Sequence, residues 1–174
     1  MSYDLCLFRL PEGADPAEFY ERLQEKEEQG VIDQEGGRAR ALDAGDRRAQ
    51  RIADSLKSCW PTFKQFEPPS PQPWIELSDE KIELQVMVTV DTVNITLPYF
   101  RPESKEMLNL AAHCIETLNR DAGLVAFDPQ LARLVSASDM AALEAQYHNM
   151  DRHLPGILAH NRDAKPKKAW WKLW

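Results

Sequence analysis

The sequence predicts an α+β fold, an antiparallel sheet with helices on one face, and three observations predict it. Two adjacent runs alternate strictly. Ile82, Leu84, Val86, Val88 and Val90 alternate with Glu83, Gln85, Met87 and Thr89, then Val93, Ile95, Leu97 and Tyr99 with Asn94, Thr96 and Pro98. Period-two patterning on both sides of a turn at Asp91-Thr92 marks paired strands with one buried face. Around these runs lie segments with apolar residues at three-to-four spacing, the period of an amphipathic helix. Leaving out a short strand at Ile75 and Leu77, the order is β-α(α)-β-β-α-β, the split β-α-β arrangement of ferredoxin-like folds. That order implies four antiparallel strands with the first one central, supplemented by an extra helix and extra strands.

Each element has its own grounds. Tyr3 to Leu10 has a continuous apolar centre, Leu5-Cys6-Leu7-Phe8, which fits a strand buried on both faces. Asp15-Pro16-Ala17-Glu18 sets an N-cap acid, a proline at N1 and a glutamate at N3 ahead of a Phe19, Tyr20, Leu23 stripe. Glu25 to Glu28 reads as the solvated end of that helix, and Gly30 to Gly45, with four glycines, as a loop. A second helix covers about Asp46 to Cys59, with Ala49, Ile52, Ala53 and Leu56 inward. Five prolines between Pro61 and Pro73 exclude helix and central strand, which makes this stretch a stiff connector. Pro102 opens a helix to about Asn119, and Leu124 to Phe127 reads as a buried strand. Asp128-Pro129-Gln130 turns it towards a return strand at Leu131 to Val135. Ser136 or Ser138 then caps a last helix carrying Met140, Leu143, Tyr147, Met150 and Leu154.

At 174 residues, 43% hydrophobic and 28% charged, the composition is that of one globular domain, assigned to residues 1–162. The net charge of −7 argues against a general nucleic-acid binder. Asp163 to Trp174 holds four lysines against one aspartate, so −7 less +3 leaves about −10 on the first 162 residues. An acidic body steers towards a basic protein partner. Cys6, Cys59 and Cys114 are widely spaced and odd in number, as expected of reduced thiols. The first residues lack the features of a signal peptide, and no run approaches the ~18 apolar residues of a membrane span. The expected location is the cytoplasm.

Candidate sites are few. His113, His148, His153 and His160 do not share a helix face at metal-binding spacing, so they read as surface or boundary histidines. No cysteine has a base placed beside it by the sequence. With no P-loop, G-x-G-x-x-G, G-x-S-x-G or H-E-x-x-H, no cofactor and no metal are expected. Asp128 stands at the C-terminal end of a buried strand, where many folds place catalytic or ligand-binding groups, yet Asp-Pro is equally a turn initiator. The polar sheet face, Glu83, Gln85, Thr89, Asn94 and Thr96 with Met87 as its apolar interruption, is either a docking surface or plain solvated strand.

Residues 163–174 form a basic tail in which Lys167 and Lys168 precede Trp170, Trp171 and Trp174. Three buried tryptophans are worth on the order of 10 kcal/mol gross, so the tail is expected to dock. Three destinations are open: its own acidic body, a partner's groove, or a membrane surface where Trp sits at headgroup level.

Ser2-Tyr3-Asp4-Leu5 and Gly123-Leu124-Val125-Ala126-Phe127-Asp128-Pro129-Gln130, with Pro73-Trp74 between them, resemble an uncharacterised family of small bacterial α+β proteins. In that family a "YDL" strand precedes a "GLVxFDPQ" motif. The resemblance spans about residues 2–135 and leaves the tail outside it. Some relatives look like members of toxin–immunity neighbourhoods. What the resemblance implies is a non-enzymatic, immunity-type binding role.

Overall fold

A computed structural model describes residues 2–35, 47–66, 74–89, 91–99, 104–139, 141–149 and 152. Seven strands form one antiparallel sheet: β1 (Ser2–Phe8), β2 (Lys64–Phe66), β3 (Ile75–Asp79), β4 (Leu84–Val88), β5 (Thr92–Pro98), β6 (Val125–Asp128) and β7 (Arg133–Val135), in the order β2-β3-β4-β5-β1-β6-β7. The helices are α1 (Pro16–Glu35), α2 (Arg47–Cys59), α3 (Ser104–Ala122) and α4 (141–149), the last preceded by a 3-10 turn at Ala137–Asp139. The class is therefore α+β, and the seven strands are the four of the expected order, the two expected additions β3 and β7, and one more, β2.

β1 lies inside the sheet between β5 and β6, and Leu5, Cys6, Leu7 and Phe8 are all buried, as its continuous apolar run requires. Because successive side chains point to opposite faces, those four feed two separate cores. Tyr3, Leu5 and Leu7 join the main core, where α2 packs on α3 and both lie over β3 to β6. Cys6 and Phe8 join Phe127 in a second core closed by Phe19, Tyr20 and Leu23 of α1. Helices on one face only is thus corrected: α1 crosses the opposite face, beside β7. Alternation shows that a face is buried but carries no information on which helix buries it.

Other boundaries shift for local reasons. Asp15 caps α1 as expected, its Oδ1 accepting the amides of Ala17 and Glu18 at 3.0 Å. That helix continues through Gly30 to Glu35, since one glycine costs only about 1 kcal/mol and Val31 to Glu35 tolerate helix. The rest of the expected loop, 36–45, lies outside the described residues. The connector is also corrected. Lys64-Gln65-Phe66, a proline-free triplet within it, pairs with Ser78, Leu77 and Glu76 as an edge strand.

Two hairpins close by one device. β3 ends in Asp79 and β6 in Asp128, and each Oδ1 accepts the amides two and three residues on. These are Lys81 and Ile82 at 3.0 and 3.2 Å, and Gln130 and Leu131 at 2.8 and 3.1 Å. Each loop ends on a non-glycine residue in the left-handed region, Glu83 at φ 55° and Ala132 at φ 49°. That region costs a residue with a Cβ about 1–2 kcal/mol, partly offset in glycine by greater entropy loss. Ala132→Gly should therefore stabilise by about 0.5–1 kcal/mol, seen as a higher urea midpoint at unchanged slope. A lowered midpoint would reject the argument.

Candidate functional site

Three places in the described fold gather polar groups: the two strand ends at Asp128 and Asp79, and the half of the sheet that α1 leaves uncovered.

Asp128 is fully buried on the main-core face. Its Oδ1 is held by the Gln130 and Leu131 amides, and its Oδ2 accepts the hydroxyl of Tyr3. With its amide nitrogen turned towards them, Gln130 also donates to the Asp4 carbonyl at 3.1 Å and to Asp128 Oδ1 at 2.9 Å. Tyr3 is itself buried, edge-on to Tyr99 and Tyr147 at 6.5 and 6.4 Å. Burial, and then the hydrogen bond and charge of Asp128, push the Tyr3 phenol far above its ordinary range, so it stays a donor. Of the two sequence readings of Asp128, the turn is the one whose hydrogen bonds are made. Both oxygens are occupied.

Asp79 is the second such carboxylate. Besides its two amides it accepts Trp60 Nε1 at 2.9 Å and the hydroxyl of Thr62. Burial opposes its ionisation, but the bonds from Thr62, Trp60, Ile82 and Lys81 outweigh that and hold the carboxyl below its ordinary range. It ties the α2–β2 connection to the β3–β4 turn. The two aspartates do not converge, because β3 and β6 are four strand spacings apart, about 19 Å.

His113 and His148 stand on exposed helix surface beside Glu116 (3.9 Å) and Glu144 (3.8 Å). The Glu116 neighbour, one turn on, is a contact that the sequence reading overlooked. His153 and His160 lie outside the described residues, and among the described residues no three His, Cys, Asp or Glu side chains cluster as metal ligands. Cys6 and Cys114 are buried and Cys59 is exposed. Burial, then the neighbouring Cys59, pushes the Cys114 thiol up to about 12. Folded protein should therefore react with one equivalent of a maleimide at Cys59, and with three after unfolding, as counted by intact mass. Rapid labelling of Cys114 in the folded state would contradict this.

The open half of the sheet is the remaining place. Strand register lines up one row of side chains on the α1 face: Phe66, Glu76, Met87, Asn94, Cys6, Phe127 and Leu134. Under α1 the row is buried at Cys6 and Phe127; beyond it, Met87 is 37% and Phe66 53% exposed. Glu76 lies between those two apolar side chains, and no ion-pair partner of it occurs among the described residues. The expected docking residues distribute unevenly over this surface. Gln85 and Met87 point outward from β4 as alternation requires, with Asn94 and Thr96 half-exposed beside them. Glu83 is not a strand residue but the left-handed end of the β3–β4 turn. Thr89 is half-buried and taken up by the β4–β5 turn, its hydroxyl meeting the Thr92 amide at 2.9 Å and carbonyl at 3.2 Å. Phe66 and Glu76 were missed, because β2 lay hidden among prolines; the only signal was the triplet's freedom from proline. Lys167, Lys168, Trp170, Trp171 and Trp174 lie outside the described residues.

Comparison of the chain with protein-family models, with curated proteins and with solved structures finds no match. Among the described residues no helix is long and apolar enough to cross a membrane.

Proposed function

We propose that the protein acts by binding another protein, without catalysis, through the open part of its sheet, strands β2 to β4. The observation that carries this reading is the row of Phe66, Glu76 and Met87, two exposed apolar side chains with a carboxylate between them, over which no helix lies among the described residues. A solvated strand face has no need of exposed Phe and Met in register, whereas interface centres are enriched in both. The net charge of about −10 on the first 162 residues favours a basic partner. The likeness of Tyr3-Asp4-Leu5 and of residues 123–130 to the small bacterial family adds an immunity-type role, in which the protein occludes its partner. The run β4-β5-β1-β6 within the sheet supports a ferredoxin-like reading of the scaffold. A catalytic or ligand-sensing use of Asp128 is disfavoured, because its oxygens already accept Tyr3 and two amides.

The test is recovery of a partner from the native host, its purification, and titration against wild type and Met87→Asp. Met87 is exposed, but Asp is disfavoured within a strand and would face Glu76 directly, so the substitution should cost about 1 kcal/mol of stability and leave the protein folded. It should weaken partner binding by about tenfold or more, ~1.4 kcal/mol. Equal affinity of the two forms would overturn the reading.

A further inference from the structure

We infer that this open face is occupied by the chain's own tail, with residues 170–174 seated across Phe66, Glu76 and Met87. The inference rests on the open face as a docking surface and assigns its resting occupant. Three features point to it. The first is chemical complementarity: the face sets a carboxylate between two apolar side chains, and Trp171-Lys172-Leu173-Trp174 sets a cation between aromatic and aliphatic ones. Glu76 has no cation partner among the described residues, and thioether–aromatic contact suits Met87 to an indole. The second is charge: a segment at +3 belongs to a body at about −10, and attraction within one chain acts at high effective concentration. The third is reach. α4 is anchored on the opposite face, Tyr147 stacking on Tyr99 at 5.3 Å. The 18 residues from helical Arg152 to Trp170 span up to about 60 Å extended, beyond the ~40 Å width of a domain this size. A partner binding this face would then have to displace the tail.

The experiment uses the full chain with 13C-methyl methionine. The Met87 methyl resonance, assigned by Met87→Leu, is compared between wild type and a variant carrying Trp170→Ser, Trp171→Ser and Trp174→Ser. Loss of indole ring current should move that resonance downfield. A synthetic peptide of residues 163–174 should move it back in the variant and leave wild type unchanged. The wild-type resonance should also be independent of protein concentration. An unmoved resonance overturns the inference, as does one that changes with dilution, which would mean that a second copy supplies the tail. So does wild type pelleting with phosphatidylserine vesicles while Met87 stays unshifted, which would place the tail on lipid. In each of these cases the Met87→Asp titration still decides whether the face binds a partner, so the two readings fail separately.

Discussion

Asp128→Ala should cost about 2–4 kcal/mol of folding stability. The substitution removes the acceptor of the Tyr3 hydroxyl, of the backbone amides of Gln130 and Leu131, and of the Gln130 side-chain nitrogen. A buried polar group left unpaired costs about 1–3 kcal/mol, which applies in full to the Tyr3 hydroxyl and less to the two part-buried turn amides, which water can reach. Tyr3→Phe should cost less, about 2 kcal/mol, because Oδ1 keeps its amides. The pair should be strongly non-additive. Once Asp128 is gone, the Tyr3 hydroxyl has lost its acceptor, so the double variant should be little worse than Asp128→Ala alone. Urea unfolding of the four proteins measures this. Additive losses would mean that the contact joining β1 to the end of β6 does not carry the energy.

Asp79→Asn should cost about 2–3 kcal/mol and remove part of the acid sensitivity of the fold. Asn keeps an oxygen for the Lys81 and Ile82 amides but turns a donor towards the Trp60 Nε1–H, which can only donate, while the Thr62 hydroxyl can turn to accept. The sign of the pH effect follows from the depressed carboxyl. The unfolded chain takes up the proton near the ordinary value of 3.8, the folded protein only at lower pH. The stabilisation from Asp79 is therefore complete above about pH 5 and is lost as pH falls through 4 towards the folded value. Across that window the stability gap between wild type and Asp79→Asn should narrow. A gap constant from pH 6 to pH 3 would show that the carboxylate is not preferentially charged in the fold.

These aspartates also show how much of the site could be read from residues alone. Asp-Pro at 128–129 was legible as a turn, because Asx hydrogen bonding is local and needs only the next three residues. Its third partner, Tyr3, is 125 positions away and has no local signature. Thr89 looked like a free docking residue because it continues the alternation of Gln85 and Met87. The tight β4–β5 turn takes its hydroxyl instead, and a turn's hydrogen bonds are not written in a period of two. The docking row depends even more on distant pairing. Phe66, Glu76 and Met87 come together only because β2, β3 and β4 pair in one particular register.

By itself the sequence determined the local elements: β4 and β5 from their alternation, β1 as a strand buried twice over, the capped start of α1, and the inward faces of α2 and α3. Each depends on side chains within a few residues of one another, where backbone period and burial are coupled directly. The tertiary structure alone decided that a proline-flanked triplet becomes an edge strand and that α1 crosses the face opposite α2 and α3. It thereby decided which part of the sheet has no helix over it among the described residues. Those outcomes depend on register and on how the helices divide the two faces of one sheet, and both are settled by the packing of residues far apart in the chain.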